Sequence, residues 1–169
     1  MELNETNRLL LMNQFKILSK LEGTNDYDNI IKILENGYEY EYNIFDNFID
    51  PSISIEKCKY VYKILNMFDT LQSSLSRIKT NKITENDVEF KGFDGNNETC
   101  YMSYSEFIIE DLKKYTYIKK NEYNSHWPMI NTYDTMYNVY KIYNNDLTKS
   151  LTEDEICEIC YWIKPKPKN

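Results

Sequence analysis

One histidine, His126, stands in the 169 residues of this chain. It lies in Asn124-Ser125-His126-Trp127-Pro128, a loop context just ahead of a helix start, where a polar side chain can reach a ligand. Acid–base work by an imidazole needs an activated neighbour within hydrogen-bond reach. No adjacent motif announces a nucleophile, although a partner distant in sequence would serve. A structural loop histidine is the favoured reading. Cys157 and Cys160 form a C-x-x-C pair, but inside a helical pattern and without a second pair or a partner histidine. Redox and zinc versions of that spacing sit at helix starts or knuckle turns, where the thiolate is stabilised. The pair reads as core, and no metal is expected.

Asp94, Asn96 and Glu98 match the opening ligands of a calcium loop, but the pattern then breaks. Thr99 stands where the loop needs its sixth-position glycine, and Ser105 where it needs its twelfth-position acid. A plain turn capping the next helix accounts for these residues better. Gly92 and Gly95 lack the lysine and the spacing of a phosphate loop. Gln14 is more pointed. It shares a helical stripe with Leu10, Ile17 and Leu21, so its amide is expected to be buried with a partner or to line a groove. Asn13 sits beside it on the next face.

Composition narrows the field further. Sixteen tyrosines stand against four glycines and two arginines, and the formal charge is −7. Tyrosine offers large apolar area with a polar tip, which suits helix packing and protein contacts. Duplex nucleic acid and anionic membranes would be repelled by this charge, because the basic residues are scattered apart from Lys164, Lys166 and Lys168. The acidic opening Met1-Glu2-Leu3-Asn4-Glu5 lacks a secretory pattern, and the apolar run Leu9–Met12 is far too short to span a bilayer. Three of the four cysteines sit in helix-like segments at core spacing and read as reduced thiols, hence a cytoplasmic chain.

The elements that must position these residues are helical. The spacing predicts a helix through Leu10, Leu11, Phe15, Ile17, Leu18 and Leu21, ended by Gly23, and a second through Ile30, Ile31, Ile33 and Leu34, ended by Gly37. Tyr38–Tyr42 alternates like a strand but is too short to be assigned alone, and Ile44, Phe45, Phe48 and Ile49 make a short amphipathic turn before Pro51. The longest helix opens at Ser52 or Ser54 and carries Cys58, Val61, Leu65, Phe68, Leu75 and Ile78 on one broad stripe, widened by Ile64 and Leu71. Val88-Glu89-Phe90 reads as one short extended piece. A further helix carries Tyr101, Tyr104, Phe107, Ile108, Leu112 and Tyr115, and another starts at Pro128 with Met129, Tyr133, Met136, Tyr140 and Tyr143 inward. Thr152 and Glu155 form a capping box for the last helix, with Leu151 and Ile156 as its staple. The tail 164–169 is expected to be disordered.

These pieces together resemble the YfbU family. Asn7-Arg8-Leu9 with Asn13-Gln14-Phe15-Lys16 is similar to the family's opening. Gly37-Tyr38, Phe90 with Gly92-Phe93-Asp94, Tyr101, Tyr104 and Phe107, Asn124 with Pro128-Met129, and Leu151-Thr152 with Glu155-Ile156 follow in the family's order. The likeness runs from about residue 2 to 163, and departs from the pattern at Pro51–Ser54, at 39–42 and in the basic tail. The resemblance implies a multihelical fold of two all-helical subdomains. It also implies an unassigned activity, with a loose association with bacterial stress or cell death, and brings no catalytic residues with it.

The resulting expectation is an all-α chain with an N-terminal helical subdomain over 1–80 and a C-terminal one over 81–163. Functionally it is a non-enzymatic, cytoplasmic interaction or regulatory protein that self-associates through aromatic surface, with a possible protein partner. Nucleic acid, membrane and cofactors are not expected. The alternative is a small-ligand binder or hydrolase-like enzyme whose pocket gathers Asn13, Gln14, Asp94, Asn124 and His126, which requires those side chains to meet in one cleft.

Overall fold

The computed structural model describes residues 2–48, 50, 52–118, 122–144 and 150–161. Ile49, Pro51 and the 164–169 tail of the sequence reading therefore lie outside the described residues. The chain is all-α. It divides into two compact units, Met1–Ser52 and Ile53–Asn169, each built around its own core.

The first unit holds α1 (Glu5–Glu22), α2 (Asp28–Asn36) and a 3-10 segment, Glu39–Asn47. The Asn4 side chain caps α1 by accepting the Asn7 N–H at 2.8 Å. Gly23 and Gly37 end the two helices in the left-handed conformation, as their positions foretold. Arg8 of α1 donates to the carbonyls of Leu34 and Glu35 at the end of α2, so a cation sits on that helix's negative pole. Phe15 fills the core between Tyr27, Phe45 and Phe48, with ring centres 5.5, 6.2 and 5.7 Å away.

One open pattern is resolved in this unit and one expectation fails. Tyr38–Tyr42 is not strand-like but winds into the 3-10 segment, where the three-residue spacing of Tyr42 and Phe45 matches one turn and turns both rings inward. The stripe of Leu10, Gln14, Ile17 and Leu21 is not buried. Leu10, Ile17 and Leu21 are 56%, 57% and 78% exposed, and Asn13 and Gln14 are exposed with them. The helix carries more apolar positions than one face can hold, and the face bearing Phe15, with Leu11 and Met12 half-buried, packs into the core instead.

The second unit is organised by α3 (Ile55–Leu75), capped by Ser54. Val61, Ile64, Leu65, Met67, Phe68 and Leu71 on it are fully buried, so the broad stripe lies inward as expected. α3 packs against α4 (Thr99–Glu106), α5 (Ile130–Tyr143) and α6 (Glu153–Cys160), which places this helix in the second unit rather than with residues 1–52. Tyr133, Met136 and Tyr140 of α5 are core. Tyr133 stands among Phe68, Phe90 and Phe93 at 5.2, 5.8 and 5.5 Å between ring centres. The capping box of α6 forms as predicted, with the Glu155 carboxylate accepting the Thr152 N–H at 2.7 Å, and Leu151 and Ile156 are buried across it. Cys157 and Cys160 both lie on this helix, half-buried and buried.

The helix beginning at Thr99 stops sooner than its pattern suggests. After Glu106 it widens into a π turn, Phe107–Asp111, closed by Leu112 N–H donating to the Phe107 carbonyl at 3.0 Å. Lys113 and Tyr115 then take positive φ, 53° and 60°. Val88 belongs to a short 3-10 turn, Glu85–Val88, and Glu89 is extended. The one bridge among the described residues lies elsewhere, between Phe93 and Asn124.

Candidate functional site

Three of the five sequence candidates meet in the second unit, where the turn 93–98 is laced to the loop 122–130. Phe93 N–H donates to the Tyr123 carbonyl and Ser125 N–H returns to the Phe93 carbonyl, each at 3.0 Å. This approach needs Gly92, whose φ is +81° and whose missing Cβ would fall 2.0 Å from the Tyr123 carbonyl oxygen. Asn124 lies against Gly95 and accepts the N–H of Gly95 at 3.0 Å and of His126 at 2.9 Å on its side-chain oxygen. Asp94 is only 2% exposed; its carboxylate accepts the Asn96 N–H and the Asn97 amide. Those hydrogen bonds, the backbone one first, hold its pKa below the ordinary carboxylate value.

The residue that the pattern undervalued is Glu98. It is 4% exposed, and its carboxylate gathers N–H groups from Asp94, Met129 and Ile130, all at 3.0 Å. A carboxylate there satisfies backbone donors at the start of α5 and meets the positive pole of that helix. Its partners Met129 and Ile130 lie 31 and 32 residues away, so no local spacing could have disclosed them.

His126 completes the cluster at the surface. Its φ of 61° is left-handed, and its Nε2 lies 3.0 Å from a Glu122 oxygen. Ser125, the neighbouring hydroxyl, instead donates to the Trp127 carbonyl at 2.7 Å. The arrangement thus fastens two loops and a helix start, with an exposed imidazole–carboxylate pair on its rim. Among the described residues no three His, Cys, Asp or Glu side chains come together as a metal site. Asn13 and Gln14 belong to the first unit, exposed on α1.

The YfbU domain model matches residues 1–161. The chain belongs to the YfbU family. A UPF0304 protein of Methanocaldococcus jannaschii is 37% identical to it over 166 residues, covering 93% of this chain and 98% of that relative. The multihelical fold that the resemblance implied is the fold observed. Gly92-Phe93-Asp94 on one side and Asn124 with Pro128-Met129 on the other supply parts of one hydrogen-bonded junction. Among the described residues no helix is long and apolar enough to cross a membrane.

Proposed function

We propose that this chain acts by binding rather than by turnover, as a cytoplasmic helical interaction and regulatory protein that self-associates through the outward face of α1. The observation that supports it is the exposed series Leu10, Gln14, Ile17 and Leu21. Its steps of four, three and four residues are those of a two-helix seam. The amide of Gln14 carries both a donor and an acceptor, so two copies meeting across a two-fold axis can satisfy each other. The seam is aliphatic, whereas Tyr42, Tyr123, Tyr133 and Tyr140 are spent on the cores. Free thiols at Cys58, Cys100 and Cys157 favour the cytoplasmic setting. A link to stress or cell death rests on the family resemblance alone.

The enzymatic alternative draws on Asp94, Asn124 and His126, but the carboxylate and amide oxygens of the first two already accept backbone hydrogens. Sedimentation velocity of the purified chain tests the binding reading. Self-association is expected, with Leu21→Glu shifting the population to monomer at unchanged helicity. A wild-type chain that stays monomeric at high micromolar concentration sinks the proposal.

A further inference from the structure

The face of α3 turned away from the core forms the floor of an open groove of about 410 Å³, lined by Lys59, Tyr62, Lys63 and Asn66 with Tyr137 and Tyr140 of α5. Rings hold the cations Lys63, Lys114 and Lys141 beside it. The Lys63 ammonium lies 4.4 Å from the Tyr60 ring centre and 4.5 Å from that of Tyr137. Lys141 lies 5.5 Å from Tyr137, and Lys114 lies 4.9 Å from Tyr62 and donates to its hydroxyl at 2.9 Å. On the side of Lys114, Tyr115 donates to Asn66 at 2.8 Å from its left-handed backbone position beyond the π turn. π turns and left-handed non-glycine residues concentrate at functional sites. The acids at hand are Asp134, 3.4 Å from Lys63, and Asp69, near Tyr115. Four lysines therefore gather on this surface of a chain whose net charge is −7.

The opposite charge lies in the first unit. Residues 33–52 contain five acidic residues and no basic one. Within them Glu39, Tyr40 and Glu41 stand outward on the 3-10 segment, and Tyr40 is 91% exposed, the most of any large hydrophobic side chain described. An aromatic ring so displayed between two carboxylates matches a groove that offers ammonium groups and tyrosine edges.

We propose that the lysine–tyrosine groove on α3 and α5 receives the Glu39-Tyr40-Glu41 turn of a second copy of this chain. Two-fold symmetry makes the contact reciprocal, each copy giving its turn and receiving its partner's. The carboxylates meet Lys59 and Lys141 at the rim, and the Tyr40 ring enters between them. This rests on the self-association proposed above, and adds a polar contact to the aliphatic seam.

A charge exchange tests it in the full-length chain. One variant carries Lys59→Glu with Lys141→Glu, the other Glu39→Lys with Glu41→Lys; all four side chains are exposed, so both should fold, as circular dichroism will verify. Each variant alone should self-associate about tenfold or more weakly, because like charges then face each other. Mixed in equal amounts, the two should associate with each other at least as tightly as the wild type does with itself. A photo-crosslinker replacing Tyr40 in isotope-labelled chains should join peptides containing Lys59 or Tyr137 of unlabelled chains. Absence of rescue on mixing, or crosslinks that avoid the groove, overturns the proposal. Charge variants without effect while Leu21→Glu dissociates the assembly overturn it and leave the α1 seam standing. The reverse pattern removes the seam and keeps the groove.

Discussion

Glu98 holds the backbone N–H of Met129 at 3.0 Å from each of its two oxygens, tying the end of the 93–98 turn to the first residue before α5. With Asp94 and Ile130 also donating, one buried side chain satisfies three backbone N–H groups. Glu98→Ala should therefore destabilise the second unit by about 3 kcal/mol or more, since buried donors would lose their acceptor. Urea unfolding followed by circular dichroism measures this, and a change within about 0.5 kcal/mol would refute the keystone role.

Gly92→Ala should be harmful for two separate reasons, the left-handed backbone and the collision with the Tyr123 carbonyl. A loss above about 1 kcal/mol is expected, as an added Cβ is incompatible with that geometry. Loop 122–130 should at the same time exchange its amide hydrogens faster. Wild-type protection there would contradict the picture of the junction.

Lys113 offers the opposite sign. It caps the π turn at φ 53°, where Lys114 N–H reaches the Ile108 carbonyl at 3.2 Å, in a position glycine usually takes. Lys113→Gly should gain about 1 kcal/mol by relieving the Cβ of that conformation. Thermal melting would show the gain as a higher midpoint.

Alkaline pH should unfold the second unit cooperatively. Burial, the foremost cause in each case, raises the phenol pKa of Tyr60, Tyr104, Tyr115, Tyr123 and Tyr133, with Tyr104 and Tyr115 pushed up to about 12. Asp134 adds to the shift at Tyr60, and the Glu110 hydrogen bond adds to that at Tyr123. In the unfolded chain these phenols ionise near 10.0, below their folded values. Their stabilisation is therefore complete below pH 10 and is lost as pH climbs towards the folded pKa values. Tyrosinate absorbance should rise together with loss of helicity. Ionisation of all the tyrosines around pH 10 with helicity intact would show these five to be solvated.

Gln14→Leu probes the α1 face. A polar residue within an apolar seam fixes register at a cost in affinity, so the leucine variant should associate more tightly and less uniquely. Mixed oligomer sizes on sedimentation are the expected signature, and unaltered behaviour would place Gln14 outside any contact.

How far the sequence spoke depended on how many solutions each pattern allowed. α3 has one broad stripe, and its inward face could be read directly from Val61 to Leu71. Thr152 and Glu155 lie three residues apart, so their cap was a local matter. α1 instead carries overlapping stripes through Leu10 and through Phe15, and only the aromatic cluster with Tyr27 and Phe45 selects between them. The alternation of Tyr38–Tyr42 suits a strand only where a neighbouring strand can pair with it, and Tyr42 and Phe45 take a turn of 3-10 helix instead. At the candidate site, Asp94 and Asn124 were visible as polar residues, yet Asp94 binds the Asn96 N–H of its own turn and Asn124 binds the Gly95 N–H across 29 residues. Polarity alone does not distinguish such fastening from ligand recognition.

The bulge at Phe107–Asp111 makes chain length matter less than chemistry in this stretch. A π turn accommodates one residue beyond an α-helical one. Loss of a single exposed amino acid there would let ordinary winding resume while the residues beyond keep their register, because the extra residue is the one the bulge absorbs. Tyr115 would stay within reach of Asn66. Such a deletion should be tolerated better than a polar replacement of the fully buried Ile108.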